Sequence, residues 1–154
     1  MSLQPGIARK GEGADGVHWN IMGQVYTPKS VTEECFSWHA LLPTETFVPP
    51  HIHPTQDEYI HVLSGELDLV LGGEHVHAKT GDLVCMPRGI PHGIFNNTGH
   101  NVTAMFWVTP TGKLVNLFRK LHNMSRPDEV VAVSPEFEVN FLPPERAADI
   151  IGLK

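Results

Sequence analysis

The chain is poor in the features that mark several common classes of protein. Its 154 residues include only 2 cysteines, too few for a disulfide framework, so Cys35 and Cys85 are expected to be reduced thiols. Lysine and arginine total 11 against 17 acidic residues, and the formal charge of −6 leaves no basic surface for nucleic acid. No apolar run approaches the length of a membrane span, and the N-terminus lacks the apolar segment of a secretion signal. We therefore expect a cytoplasmic protein without nucleic-acid or membrane partners.

Residues that form turns are, in contrast, abundant. The 14 glycines and 13 prolines argue against a helical bundle. Short alternating runs of apolar and polar residues predict strands at 17–22, 35–42, 59–63, 66–71, 74–78, 82–86, 93–96 and 102–108. Gly72-Gly73 lies between two of these runs and predicts a hairpin. The pattern indicates one all-β domain, an antiparallel sandwich or barrel.

Three histidines and one glutamate stand out in two short segments. His51 and His53 alternate on a predicted strand, so their side chains share one face. Pro54 interrupts that strand, and the restarted alternation can turn Glu58 toward the same side. His92 follows a Pro-Arg-Gly-Ile-Pro turn, from which another strand can deliver a fourth ligand. Three imidazoles and a carboxylate suit one divalent transition metal (Fe, Mn, Ni, Co or Zn) better than Ca or Mg.

The two segments resemble the two signature motifs of the cupin superfamily. The matching residues are His51, His53, Glu58 and Gly65 in the first motif, and Gly81, Pro87, Gly89, His92 and Asn96 in the second. Glu45 stands where the first motif ordinarily opens with glycine, a departure that concerns a turn and not the ligands. The resemblance implies a double-stranded β-helix, or jelly roll, that binds metal through the quartet His51, His53, Glu58 and His92. It also implies a homodimer.

The segment before the first histidine and the region after the barrel resemble single-domain cupins of the quercetin 2,3-dioxygenase type. A Pro-rich run, 48–53, leads into the ligands, and helical pieces are expected at 112–123 and 127–141. Helical spacing of Leu114, Leu117, Phe118 and Leu121 predicts a helix docked on the barrel. We therefore divide the chain into a flexible arm (1–16), a cupin β-barrel (17–110) and an extension (111–154) with one or two short helices packed on the barrel.

This resemblance implies a metal-dependent dioxygenase acting on a small aromatic or enolic substrate. Glu58 would then be catalytic as well as a ligand, because it can take a proton from a phenol or enol. The residues expected to form the substrate pocket are Phe36, Trp38, Phe47, Ile60, Met86, Arg88, Ile94 and Phe106. Such a lining is mainly apolar and aromatic, which suits a hydrophobic organic molecule better than a sugar.

Two other functions are compatible with the same residues. One is a non-redox, metal-bearing protein that binds a small molecule. The other is a metal-dependent isomerase or decarboxylase, in which Arg88 would clamp a carboxylate. Arg88 can equally form a salt bridge at the barrel mouth, while Gln56 and Asp57 are candidates to orient an imidazole.

Two further motifs have a structural explanation. Residues 11–16 fit the spacing G-x-G-x-x-G, but no strand precedes them and no helix follows, so a loop is expected. His75 and His77 form a second H-x-H pair beside the predicted hairpin. Inward-facing Val76 and Ala78 would turn both histidines toward solvent. We do not expect a metal site there.

Overall fold

The computed structural model describes residues 2–152 as two antiparallel β-sheets followed by short helices. Met1, Leu153 and Lys154, at the ends of the predicted arm and extension, lie outside the described residues. The strands are β1 (Trp19–Ile21), β2 (Gln24–Val31), β3 (Phe36–Leu42), β4 (Phe47–Ile52), β5 (Asp57–Ser64), β6 (Glu66–Leu71), β7 (Glu74–Lys79), β8 (Leu83–Met86), β9 (His92–Phe95), β10 (Val102–Thr109) and β11 (Asn140–Phe141). The helices are α1 (Leu114–Leu121), α2 (Pro127–Val133) and α3 (Pro144–Ile151), with 3₁₀ turns at Ala14–Gly16 and Ser134–Phe137.

The order of the strands confirms the predicted jelly roll. One sheet has the order β1-β2-β3-β10-β5-β8, and the other has the order β11-β4-β9-β6-β7. From β3 to β6, and again from β7 to β10, each successive strand lies in the opposite sheet. This winding brings β4, β5 and β9, which are separated in sequence, to one part of the barrel interior.

Alternating burial explains how these strands enclose a core. In β3 and β10 every second side chain is buried, as the strand period of two requires. The register places Phe106 of β10 opposite Trp38 of β3, with ring centroids 5.3 Å apart in a stacked arrangement. Large aromatic rings therefore fill the centre of the barrel and bury much apolar surface there.

The hairpin between β6 and β7 forms as predicted. Gly72-Gly73 supplies the two positive φ angles, 58° and 91°, that a tight turn of this hand requires. His75 and His77 are exposed, which confirms that they point to solvent. The prediction for Val76 was wrong: it is 37 % exposed, because β7 is an edge strand that reaches beyond the core. Only Ala78 of this strand is buried.

Prolines conceal β2 from the sequence pattern and interrupt β4, which carries His51. β2 was not predicted, and its pairing with β3 shifts register between Pro28 and Ser30. β4 contains Pro49-Pro50, and its pairing with β9 shifts between Val48 and His51. Bulges of this kind accommodate residues that cannot donate to the ladder. Both strands nevertheless contribute to the candidate site.

The C-terminal segment places three helices on the barrel where one or two were expected. α1 buries the four apolar residues predicted for it, Leu114, Leu117, Phe118 and Leu121. The ring of Phe118 lies 5.2 Å from that of Trp38, so α1 covers the aromatic centre of the barrel. No helix among residues 2–152 has the length and apolar character needed to cross a bilayer.

The segment before β1 runs along the outside of the sheet. Residues 2–12 are exposed, and Lys29 of β2 donates hydrogen bonds to the carbonyls of Arg9 and Glu12 at 2.7 and 2.5 Å. These contacts attach the end of the segment to the barrel. The flexibility predicted for residues 1–16 stays a prediction.

Candidate metal centre

The predicted quartet comes together inside the barrel. His51 is on β4, His53 lies just beyond that strand, Glu58 is on β5 and His92 begins β9. One ligand atom from each residue lies within 4.8 Å of the corresponding atoms of the other three. All four side chains are buried, with exposed fractions of 4 % or less. The quartet is therefore compact enough to hold one metal ion.

In each of the three histidine rings, Nδ1 lies within hydrogen-bonding distance of an acceptor oxygen. These contacts join Nδ1 of His51 to the Pro49 carbonyl at 2.8 Å, Nδ1 of His53 to Oε1 of Gln56 at 2.9 Å, and Nδ1 of His92 to the Ile90 carbonyl at 3.3 Å. An acceptor at Nδ1 favours the tautomer that carries its proton there. The lone pair of Nε2 is then available to a metal ion.

Glu58 links two of these rings through its carboxylate. Its Oε2 atom lies 3.0 Å from Nε2 of His92 and 3.1 Å from Nε2 of His53. Burial opposes ionisation of Glu58, but the charge of His53 and hydrogen bonds from His53 and His92 hold its pKa well below the ordinary value. The carboxylate oxygen and the two ring nitrogens lie close enough together to bind one metal ion in common.

The surroundings of His51 and His53 shift the pKa values of the two rings in opposite directions. Burial lowers the pKa of His51 well below its usual value, and the neighbouring rings of His92 and His53 add to this effect. Burial also works against a charged His53, but the Glu58 carboxylate and Gln56 hold its pKa above the ordinary value. Neutral imidazoles and an ionised carboxylate are the protonation states that ligate a transition metal. The donor set therefore fits Fe, Mn, Ni, Co or Zn.

Gln56, a candidate to orient an imidazole, connects the quartet to the segment after β10. Its exposed fraction is 2 %, and its amide nitrogen donates to the carbonyls of Pro110 at 3.0 Å and Thr111 at 2.5 Å. Its amide oxygen is thereby directed to Nδ1 of His53. Polar groups of this kind, one step removed from a metal ion, tune its affinity.

Arg88 does not line the cavity beside the quartet, contrary to the prediction of a pocket residue. Its guanidinium forms two hydrogen bonds with Asp57, 3.2 Å from Nε to Oδ1 and 3.0 Å from Nη2 to Oδ2. Its backbone N–H donates to the same carboxylate at 2.9 Å. The hydrogen bonds from Arg88 lower the pKa of Asp57. The pair is the surface salt bridge that was the other expectation for Arg88.

A cavity of about 100 Å³ adjoins the quartet and is bordered by His51, His53 and Glu58. Four residues predicted for the pocket line it, namely Trp38, Phe47, Ile94 and Phe106. Phe47 is 55 % exposed, which places it where the cavity meets the protein surface. The rest of the wall is mainly aliphatic and aromatic.

Three other residues predicted for the pocket are buried in the core away from the cavity. Phe36 stacks on Trp38 at 4.8 Å and belongs to the layer behind it. Ile60 is fully buried in the sheet between Phe106 and a residue of β8, and Met86 is 2 % exposed. For the strands of these three residues alternation identified the inward side correctly, but it carries no information on depth along the barrel.

The sequence reasoning missed several residues of the cavity wall. They are Gln24 and Tyr26 of β2, Leu114 and Phe118 of α1, Val130 of α2 and Phe141 of β11. Phe141 pairs with His51 across β11 and β4, and their ring centroids lie 5.4 Å apart. Alternation in residues 24–27 was a signal for β2, whereas nothing local indicated the pairing of β11.

Glu45, which replaces the glycine expected in the first motif, adopts a left-handed conformation with φ of 64°. Its backbone N–H donates to the carbonyl of Asn96 at 3.0 Å, and the N–H of Asn96 donates to the carbonyl of Thr46. The side chain of Asn96 donates to the carbonyls of Leu42 and His100, so it holds the two adjoining turns together. This position of the motif requires a positive φ, which glycine adopts freely and which Glu45 adopts at an energetic cost.

Comparison with known proteins agrees with this geometry. Residues 38–109 match the cupin domain family. The tetracenomycin polyketide synthase protein TcmJ of Streptomyces glaucescens is 29 % identical over 85 residues, covering 54 % of this chain and 57 % of TcmJ. This match therefore spans little more than half the length of either protein.

Solved structures share the fold at low sequence identity. KdgF from Halomonas sp. superposes with a TM-score of 0.58 and 18 % identity, over 62 % of this chain and 87 % of KdgF. A predicted oxalate decarboxylase from Thermotoga maritima superposes with a TM-score of 0.54 and 21 % identity. The superposition covers 56 % of this chain and 80 % of the decarboxylase. Residues 38–109 thus match the cupin domain family within this fold, and the buried His51, His53, Glu58 and His92 can hold one metal ion.

Proposed function

We propose that the protein is a non-haem, metal-dependent dioxygenase that acts on a small aromatic or enolic substrate. The observation that carries the proposal is the buried quartet bordering a cavity whose other walls are mainly aromatic and aliphatic. Cavities of this kind bind flat apolar molecules and orient them through a few polar groups. Here three of those polar groups, His51, His53 and Glu58, belong to the quartet itself.

Nε2 of His51, His53 and His92 and the carboxylate of Glu58 would hold the metal. When bound, Fe, Mn, Ni or Co would supply a Lewis acid and coordination positions left open by four protein ligands. Gln56 and the backbone carbonyls of Pro49 and Ile90 keep the three rings in place. The protein thus fixes the donor atoms before a substrate enters.

Glu58 is the group that receives the substrate hydroxyl in this proposal. It is ionised at neutral pH because its pKa is held low, so it accepts hydrogen bonds and donates none. A phenol or enol directed at Glu58 can donate a hydrogen bond to the carboxylate. That hydroxyl would be acidified by a metal held by the quartet, so that Glu58 could receive its proton and leave the ring or enol electron-rich. Trp38 and Phe106 flank the same cavity and would hold a flat substrate in one orientation.

The size of the cavity limits the substrate to about one ring. Its volume is about 100 Å³, which is smaller than the apolar protein cavity of about 150 Å³ known to hold benzene, so even a one-ring substrate requires part of the wall to move. A three-ring flavonol would require α1 or β11 to move aside. The relative TcmJ is named as a polyketide synthase protein, and polyketides are rich in enol and phenol groups. The name of this relative therefore agrees with the proposal of a phenolic or enolic substrate.

The second candidate, an isomerase or decarboxylase of a hydroxy- or keto-acid, has less support. A carboxylate substrate calls for a cation in the cavity. Within residues 2–152 no lysine or arginine lines the cavity, and Arg88 is engaged with Asp57 outside it. A non-redox binding protein, the remaining alternative, differs from an oxygenase in its metal and in its lack of turnover.

Oxygen uptake tests the proposal directly. We expect protein reconstituted with Fe, Mn, Ni or Co to consume O₂ when single-ring phenols and enols are added, and zinc protein to consume none. Glu58→Gln should lower kcat by about 100-fold while retaining part of the metal. The variant His75→Ala/His77→Ala, which alters an exposed H-x-H pair, should match the wild type. Silence across the whole panel with every metal would contradict the proposal.

A further inference from the structure

Met22 lies between the cavity beside the quartet and an open groove on the protein surface. The groove has a volume of about 280 Å³ and is lined by Asn20, Met22, Gly23, Asn123, Met124 and Ser125. Met22 also lines the cavity, and it is 38 % exposed, so it borders the interior and the solvent at once. A route from solvent to the quartet therefore leads through the groove and past Met22.

The turn that carries Met22 closes the cavity at this end. Met22 and Gly23 form the two-residue connection between β1 and β2. The residues on either side of them, Ile21 and Gln24, pair with each other, are buried and line the cavity. The hairpin thus turns two side chains into the cavity and places Met22 at its edge.

Some part of the wall has to move when a substrate enters, because the cavity of about 100 Å³ is too small for a one-ring molecule as it stands. Helix α1 is poorly suited to this movement, since it buries five of its eight residues and would expose them to water. The hairpin is also held. The N–H of Asn20 donates to Nδ1 of His122 at 2.9 Å, and the N–H of Asn123 donates to the carbonyl of Asn20 at 3.0 Å.

Phe47 is the other exposed residue in the described part of the wall, and its ring is held as well. It stacks on Phe95, its partner across β4 and β9, with ring centroids 6.0 Å apart and the planes at 12°. Lifting the ring from this stack would lose an aromatic contact. Movement of Phe47 is therefore less favourable than movement of a side chain without such a contact.

The side chain of Met22 is the part of the wall that can move most readily. It is unbranched, with three rotatable bonds, and it lies at the surface. Met22 and Gly23 have φ angles of 49° and 85°, and asparagine or glycine is preferred at the first position of such a turn. Methionine is unfavourable for this turn because its side chain disfavours a positive φ. The position therefore carries a residue that suits a movable barrier better than it suits the hairpin.

We propose that Met22 is the gate through which substrates reach the quartet, and that its side chain determines which molecules enter. Among residues 2–152 no charged side chain lines the groove, and the polar side chains there are those of Asn20, Asn123 and Ser125. The molecules admitted are therefore small, neutral and weakly polar. The inference rests on the proposed function only for the choice of phenols and enols within that class.

Exchange of two fluorinated phenols with the zinc-loaded protein tests the gate without turnover. The narrow probe is para-fluorophenol and the bulkier one is para-(trifluoromethyl)phenol, and fluorine NMR gives the association and dissociation rates of each. Met22→Ala should raise both rates about tenfold and leave Kd within about threefold, because a gate changes the barrier and not the bound state. The gain should be larger for the bulkier probe.

Met105→Ala is the matched control, because Met105 lies on the outer side of β10 and its loss should leave the exchange rates unchanged. Met22→Asn separates the gate from a loosened fold. Asparagine suits the turn, so this variant should unfold at a higher temperature than wild type and still exchange both phenols faster. Faster exchange in a more stable protein has its origin at the gate.

Three results would overturn the assignment. The first is unchanged exchange in Met22→Ala and Met22→Asn, above all if Phe47→Ala accelerates it. The second is a change of Kd in Met22→Ala without a change of the association rate, which would make Met22 an ordinary wall residue. The third is that neither phenol binds the wild-type protein.

The two proposals can fail independently. Faster exchange in Met22→Ala with no oxygen uptake under any metal would remove the dioxygenase and keep the gate. Oxygen uptake by the wild type, together with unchanged exchange rates in Met22→Ala, would remove the gate and keep the dioxygenase.

Discussion

Gln56 accepts a hydrogen bond of 2.9 Å from Nδ1 of His53, while its amide nitrogen is bound to the carbonyls that follow β10. One buried side chain therefore ties a metal-binding ring to the start of the C-terminal segment. The segment after β10 contributes to the centre in this way without supplying a ligand. We therefore expect the affinity for metal to depend on a residue that does not touch the ion.

Replacing Gln56 by Met should weaken metal binding about 10- to 100-fold, because the ring of His53 loses the acceptor that fixes its tautomer and orientation. Thr55→Ala is the matched control, since Thr55 is exposed in the same turn and should bind metal normally. Competition with a chelator measures both affinities. Equal affinity in Gln56→Met and wild type would show that the hydrogen bond does not position His53.

Metal affinity should fall on acidification. Despite its burial, His53 has a pKa held above the ordinary value of about 6.5 by Glu58, so its proton competes with metal already near neutral pH. Below that pKa the affinity should fall at least about tenfold per pH unit, because His53 must release its proton to bind metal. His51 adds no step in this range, because burial keeps its pKa low. Zinc titrations from mildly alkaline to mildly acidic pH measure the slope. A flat profile would argue against histidine ligands.

Arg88→Ala should leave turnover of a neutral phenol within about threefold of wild type. The guanidinium is half exposed and paired with Asp57 outside the cavity, and such surface pairs contribute only about 0–1 kcal/mol to stability. Steady-state kinetics and thermal unfolding of the variant measure the two effects. A collapse of kcat/KM would instead identify Arg88 as a substrate clamp and favour the acid-binding enzyme.

Glu45→Gly should stabilise the protein by about 0.5–1 kcal/mol. Glu45 holds a φ of 64°, which costs a residue with a side chain about 1–2 kcal/mol and costs glycine little. Glu34→Gly is the control, because Glu34 lies in an exposed bend without positive φ and should lose stability. Denaturant unfolding measures both. Destabilisation of Glu45→Gly would mean that the Glu45 side chain contributes more than its strain costs.

The ligands and the barrel were accessible from the sequence because they depend on local patterns. Alternation and one proline break place His51, His53 and Glu58, and the exposed His75 and His77 follow from the adjacent hairpin. The wall of the cavity was only partly predicted, because some of its residues lie on elements that the local pattern does not reveal. Pro28 concealed β2, and with it the contribution of that strand to the wall.

The remaining differences between the predicted and the observed cavity residues arise from depth along the barrel and from pairing between strands far apart in sequence. Ile60 and Phe106 are both inward on adjacent strands, yet only Phe106 borders the cavity. Phe141 reaches His51 through a two-residue strand formed late in the chain, for which the sequence has no local signal. The homodimer implied by the resemblance stays a prediction, which sedimentation of the purified protein can test.

Elemental analysis of freshly purified protein without a histidine tag tests the central claim most directly. The comparison is between wild type, His51→Ala/His92→Ala, and the exposed-pair control His75→Ala/His77→Ala. We predict about one Fe, Mn, Ni or Co ion per chain in the wild type and the control, and none in the ligand variant. Absence of metal from the wild type, or metal that persists in the ligand variant, would contradict the account.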